Sequence, residues 1–352
     1  MTNVSIPVCS TWSVESHIVA SAPFADKKIE TRYIRSYLVE SHEERQIMFR
    51  GAVYGLTAGA IWGGLYVVSD VVLTTVTPFV LLSVRLALGI AVLLPLIHWQ
   101  GRAMGEGWRW PRRREALQAL GVGFVGFGVS VGAQFVGTDK STAINGALIT
   151  SASPAFILLF AAVILRERLT GLRVIAVALA TIGVIIIIDP RQADFGSETF
   201  VGDVSLLVAA ITWGLYSVLV RHLSARLNTL MLTLLGFCGG LLLTVPAAIM
   251  EASQRPSGTL TPGVLLGVLY LGVISTAGAM WLWNRAFALV DASVASLFFF
   301  AQPVVGALLS ILILNQPVTW NLAVGSLLIA GGVLLSLNSG HVRLRRFRRT
   351  VT

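Results

Sequence analysis

Cysteine, histidine and charge are all scarce in this sequence, and each scarcity removes a class of function. The two cysteines, Cys9 in a polar N-terminal stretch and Cys238 inside an apolar run, supply neither a disulfide framework nor metal-ligand spacing. The five histidines, His17, His42, His98, His222 and His341, lie in the tail or near the ends of apolar runs, and neither an HExxH motif nor a Walker-type phosphate loop occurs. Catalysis inside a membrane would need clustered reacting side chains with access to water, and nothing here supplies them. The expectation is a protein without metal, without cofactor and without enzymatic activity. Charged residues make up only 12% of the chain and hydrophobic residues 55%, whereas soluble domains carry roughly a quarter charged residues. Such a chain needs lipid around it.

What the sequence has in plenty is apolar runs. Ten are long enough, or nearly so, to cross a bilayer as helices: Ala52–Val72, Pro78–His98, Leu117–Val136, Ala143–Leu165, Leu172–Ile188, Val204–Val220, Leu230–Met250, Gly263–Trp283, Ala292–Leu314 and Leu322–Leu337. They lack the apolar–polar alternation of a barrel strand, and lipid offers backbone groups no partners outside a helix or a closed barrel. The fold class expected is therefore an all-α membrane protein of ten transmembrane helices.

The basic residues orient it. A net charge of +9 could point to nucleic acid, but Lys and Arg cluster between the apolar runs, and no nucleic-acid partner is expected. The even-numbered connections and the C-terminal tail hold sixteen arginines, from Arg102 to Arg349, while the odd-numbered ones hold only Lys140, Arg191 and Arg255. This bias places both termini in the cytoplasm of a multi-pass protein of the cell (plasma or inner) membrane, with membrane lipids as partners. Residues 1–50 lack the pattern of a cleaved signal peptide and read as a loosely ordered cytoplasmic tail. Met48, just before the first apolar run, is an alternative start. Residues 339–352 form a basic cytoplasmic tail.

The chain also repeats itself. A shift of 151 residues pairs Trp62 with Trp213, Gly63 with Gly214, Gly89 with Gly240 and Pro95 with Pro246; a shift of 149 pairs Pro154 with Pro303 and Thr170 with Thr319. The repeats are residues 51–189 and 202–338, five spans each. An odd number of spans turns the second copy upside down, giving two inverted five-helix repeats, an arrangement that produces alternating access when the copies exchange conformation. The charges agree: ILRERLTGLR after the fourth span is basic, while the matching ILNQPVTWNL after the ninth carries no charge.

These residues resemble the EamA family of the drug/metabolite transporter superfamily. The likeness rests on the AIWGGLYVVSD opening, the SVRLALG segment and two long modules that end in RERLT and NQPVT, and it covers Gly51 to Leu337. It implies a ten-helix secondary transporter with a central cavity, often an exporter of amino acids, amines or related metabolites. Glu167 fits the family's glutamate at the end of the fourth span, but Gln316 replaces its counterpart after the ninth. A channel or a lipid-handling protein is the competing class, and homodimerisation is left open.

Candidate site residues follow from position. Trp62 and Trp213 fall near the middle of their spans, where an indole N–H needs a partner and where inverted-repeat transporters place substrate; cavity lining competes with core packing. Pro154 and Pro303 each remove a backbone donor and free the carbonyl four residues earlier, on Thr150 and Phe299. Ser153 and Gln302 precede them, and Gln302 can donate and accept at once, toward a zwitterion or in an interhelical hydrogen bond. Tyr66 is a candidate aromatic wall, with core packing the stronger reading. Arg85 lies about eight residues into the second span, at a depth that costs at least a few kcal/mol, and its repeat partner is Gly236. Either an ion pair with Asp70 or direct contact with a substrate anion would compensate it. Asp70, Arg85 and Glu167 are the candidates for ion pairing or gating.

Overall fold

The computed structural model describes residues 27–103, 110–141, 149–188, 196, 199–255, 258–314 and 320–338. The chain divides into two units, Met1–Gln46 and Ile47–Thr352. All regular structure among the described residues is helical. α1 runs Lys27–Leu73, α2 Pro78–Ala103, α3 Arg113–Lys140, α4 Ser153–Ile164, α5 Gly171–Ile188, α6 Phe200–Leu223, α7 Thr229–Gln254 and α8 Pro262–Leu289. α9 opens as a turn of helix, Ala292–Ala295, tightens into a 3-10 segment, Ser296–Phe300, and continues as Ala301–Leu314; α10 is Trp320–Asn338. Five of these, α2, α3, α6, α7 and α8, are long and apolar enough to cross a membrane, while α4, α5, α9 and α10 contain shorter apolar helices.

Two expectations are corrected. The N-terminal tail is not loosely ordered throughout, because helix begins at Lys27 and runs on as α1; residues 27–50 contain neither glycine nor proline to interrupt it. The fourth apolar run is not one helix centred on Pro154. Ile149 and Thr150 are helical, Ser151 and Ala152 form a turn, and helix resumes at Ser153, so the run breaks just before Pro154, which stands in the first turn of the second piece, where a missing N–H costs nothing.

Helix starts are fixed by local chemistry. Asn228 caps α7 by accepting from the Leu230 N–H at 2.9 Å, and Thr261 caps α8 by accepting from Val264, with Pro262 following. The α2 start is capped from another helix: Glu251 Oε2, near the end of α7, accepts from the Phe79 N–H at 2.7 Å. The repeat counterpart is Gln100 near the end of α2, which meets the α7 cap residue Asn228 at 3.4 Å. α2 and α7 thus hold each other at both ends.

Close helix contacts recur in repeat-related pairs. A Cβ on Gly89 would meet the Phe237 ring at 2.7 Å, and one on Gly240 would meet Leu86 at 3.0 Å; the 151-residue shift that relates the glycines relates Leu86 to Phe237. Likewise a Cβ on Gly183 would meet the Gly325 carbonyl and Ile329, and one on Gly332 the Ala176 carbonyl and Ala180, all related by 149. Small residues at these crossings let helix backbones approach closely.

Candidate functional site between the two repeats

Both third helices of the repeats change winding at matching places. α3 is π-helical over Phe124–Ser130 and α8 over Tyr270–Gly278. A π stretch misaligns backbone carbonyls with their usual partners, and such stretches occur often at functional sites. In α8 one of those carbonyls is used: Trp62 Nε1 donates to the Ser275 carbonyl at 3.1 Å.

Trp62 is 5% and Trp213 8% exposed, and the repeat partners touch edge to face with ring centroids 5.7 Å apart. Trp283 of α8 completes the cluster at 5.2 Å from Trp62 and 6.1 Å from Trp213. The two indoles differ in one respect. Trp62 has its acceptor, whereas Trp213 Nε1 is buried with no hydrogen bond, as is Ser275 Oγ beside the carbonyl that Trp62 holds. A buried donor without a partner costs about 1–3 kcal/mol, so two of them in residues that both touch Trp62 mark this place.

Arg85 reaches the same segment. It is 4% exposed, and its Nε donates to Thr276 Oγ1 at 3.0 Å, while Thr276 donates to the Leu271 carbonyl. The repeat counterpart of Arg85 on the second helix of the other half, Gly236, carries no side chain, and a Cβ there would lie 3.1 Å from the Phe127 ring.

The remaining candidates divide. Gln302 is buried, on α9 beside the crossing with α1, and its side chain makes no hydrogen bond among the described residues. Pro303 follows it, just past the 3-10 segment. Ser153 donates to the Thr150 carbonyl at 2.7 Å, so its hydroxyl takes up the carbonyl that Pro154 leaves without its usual donor. The side chains of Tyr66 and Asp70 lie outside the described residues, and with them the expected Asp70–Arg85 pair; Gln316 lies outside them as well.

Glu167 belongs to a separate cluster. Its carboxylate accepts from the Ala292 N–H at 2.9 Å, the Ser293 N–H at 3.2 Å and the Ser293 hydroxyl at 2.8 Å, capping the start of α9. Arg173 bridges it at 3.9 Å and Asp291 at 2.7 Å, and Arg221 donates to the Phe287 and Ala288 carbonyls. Neither Arg173 nor Asp291 stood out in the sequence, because Arg173 reads as one of several arginines in ILRERLTGLR and Asp291 stands alone beside an apolar run. A second buried network, Tyr216 to Asn284 at 2.9 Å and Asn284 to Thr233 at 2.9 Å, was equally hidden.

The sequence pattern of the EamA-like transporter family matches residues 49–189 and again residues 200–338. The chain belongs to this family. An EamA relative, an uncharacterized transporter from Archaeoglobus fulgidus, is 24% identical over 283 residues, covering 80% of this chain and 95% of that one. The uncharacterized transporter YyaM of Bacillus subtilis is 26% identical over 239 residues, covering 67% and 77%. A protein of known crystal structure has the same fold, with a TM-score of 0.69 at 23% identity over 82% of this chain and 99% of that one. This EamA protein is therefore a multi-pass membrane transporter, built of two copies of the family's repeat.

Proposed function

We propose that this chain is a secondary carrier of small polar metabolites, working as an exporter, in which ten membrane spans form two inverted repeats with both termini in the cytoplasm. Alternating access arises as the repeats exchange conformations around the Trp62–Trp213 contact. Reciprocal packing supports this reading most directly. The first helix of each repeat lies on the fourth helix of the other at corresponding residues, so two related packings are available to one chain. In the closed arrangement the three indoles fill the centre. Solute enters as the helices carrying them part.

The test is counterflow in proteoliposomes. Vesicles loaded with a panel of unlabelled amino acids, amines and organic acids should take up trace labelled solute in a saturable manner that the same unlabelled solute competes. Non-saturating flux, or scrambling of labelled lipid, would make the protein a channel or a lipid-handling protein instead.

A further inference from the structure

We infer that the Arg85 region is a site for the carboxylate of an organic anion or zwitterion; this rests on the carrier reading and narrows its substrate class. Arg85 is 96% buried by its 4% exposure, yet among the described residues its only side-chain hydrogen bond runs from Nε to Thr276 Oγ1. Nη1 and Nη2 make no hydrogen bond or ion pair with a described residue, and neither is among the fully enclosed unpartnered atoms. With Nε held by the threonine, the planar fork presents its two Nη groups together, the geometry that pairs with both oxygens of a carboxylate.

The neighbours are of one kind. Ser275, next to Thr276, is fully buried with its hydroxyl unpartnered, and its carbonyl holds Trp62, whose ring packs on Trp213 with its own unpartnered N–H. A chain of contacts links the residues that carry these donors: Arg85 bonds Thr276, the chain neighbour of Ser275, and Trp62 bonds the Ser275 carbonyl and packs on Trp213. Described acidic side chains from Ile47 onward, Glu115, Asp139, Glu167, Asp203, Glu251 and Asp291, stand in connections or within the last or first turns of helices. None of them neutralises Arg85. A buried cation among unpartnered donors calls for an anion with several acceptor lone pairs. A carboxylate fits and an amine does not. The aromatic wall of Trp62, Trp213 and Trp283 gives the rest of such a molecule an apolar face to rest on.

Four probes with one benzyl body separate the charges: phenylacetate, phenylalanine, phenylalaninamide and phenethylamine. Binding to the full-length protein in detergent is read by quenching of tryptophan fluorescence and by the shift in thermal unfolding. Phenylacetate and phenylalanine should bind at least tenfold more tightly than the amide and the amine. Arg85→Met should abolish that preference, Arg85→Lys should keep part of it, and Ser275→Ala should weaken carboxylate binding several-fold at an unchanged unfolding temperature. Equal binding of carboxylate and amine probes, no binding of any probe to the wild type, or an undiminished preference in folded Arg85→Met each overturns the proposal. If the preference holds but no probe shows saturable flux in proteoliposomes, the anion site stands and the carrier reading fails.

Discussion

Gly63 and Gly214 occupy the same place in two helix crossings that exchange partners between the repeats. A Cβ on Gly63 would lie 2.9 Å from the Gln302 carbonyl and from the Gly306 nitrogen, and one on Gly214 would lie 2.8 Å from Phe156 Cβ and 3.1 Å from the Ile157 nitrogen. The shift of 149 that aligns the fourth helices carries Phe156 and Ile157 onto Val305 and Gly306. The Val305 and Gly306 contacts of one crossing therefore recur as the Phe156 and Ile157 contacts of the other.

That equivalence makes Gly63 and Gly214 costly to change. Backbone atoms cannot withdraw as a flexible side chain can, so Gly63→Leu and Gly214→Leu should each destabilise by about 1–3 kcal/mol or more through overpacking. Gly121, with nothing within 4 Å of its would-be Cβ, is the control: Gly121→Ala should be neutral or stabilising by about 0.5–1 kcal/mol through helix propensity. Thermal unfolding in detergent checks both. Equal effects at all three positions would show that the crossings are not tight.

The hydrogen bond from Tyr216 to Asn284 lies in a fully buried network. Tyr216→Phe removes the donor and leaves an amide oxygen unsatisfied, at about 0.6 to 1.7 kcal/mol for hydrogen bonds between membrane helices. A Tyr216→Phe/Asn284→Leu double variant should recover part of that loss, because it leaves fewer orphaned groups. Unfolding midpoints of the two single variants and the double variant measure the coupling directly.

The proposed orientation rests on the basic residues. Reporter fusions at Ser197 and Thr352 should give opposite sidedness, since an odd number of proposed spans separates them. The same side for both would remove the ten-span arrangement.

Much of this was legible in the sequence because membrane helices are apolar along their whole length and because a repeat states its correspondences twice. Trp62 with Trp213 and Arg85 against Gly236 could be paired by counting. The winding of α3 and α8 could not, since a π stretch leaves no mark in hydrophobic periodicity, and Ser275 and Thr276 matter only because that winding turns them toward Trp62 and Arg85. Pro154 marked a real interruption, but an apolar run does not say that helix gives way to a turn at Ser151 and resumes at Ser153. Arg173 and Asp291 are far apart in the chain, and only the fold brings them to 2.7 Å.

The Arg173 cluster gives the last prediction, which joins the end of the molecule proposed to face the cytoplasm to the indole cluster. Arg173 is 6% exposed and ties α5 to the start of α9 through Asp291 and Ser293. At the corresponding places of the other repeat the sequence has Thr142, Gln316 and Leu322, none of them charged. If an ionic clasp closes only this end, loosening it should favour opening on the cytoplasmic side. Removing one partner of a buried ion pair costs about 3–5 kcal/mol, so Asp291→Asn, at the more exposed partner, is the milder variant and Arg173→Met the stronger. Trp213→Cys and Gln302→Cys, in a background with Cys9→Ser and Cys238→Ser, report the opening through reaction with a small aqueous thiol reagent. Both positions are at most 9% exposed in the closed arrangement, so labelling should be slow. Asp291→Asn should speed it, and Arg173→Met more so, for reagent added from the cytoplasmic face only. Leu242→Cys, midway along α7 on its exposed surface, is the lipid-facing control, and its low rate should not change. Equal acceleration from both faces would mean that the clasp holds the fold together and does not act as a gate.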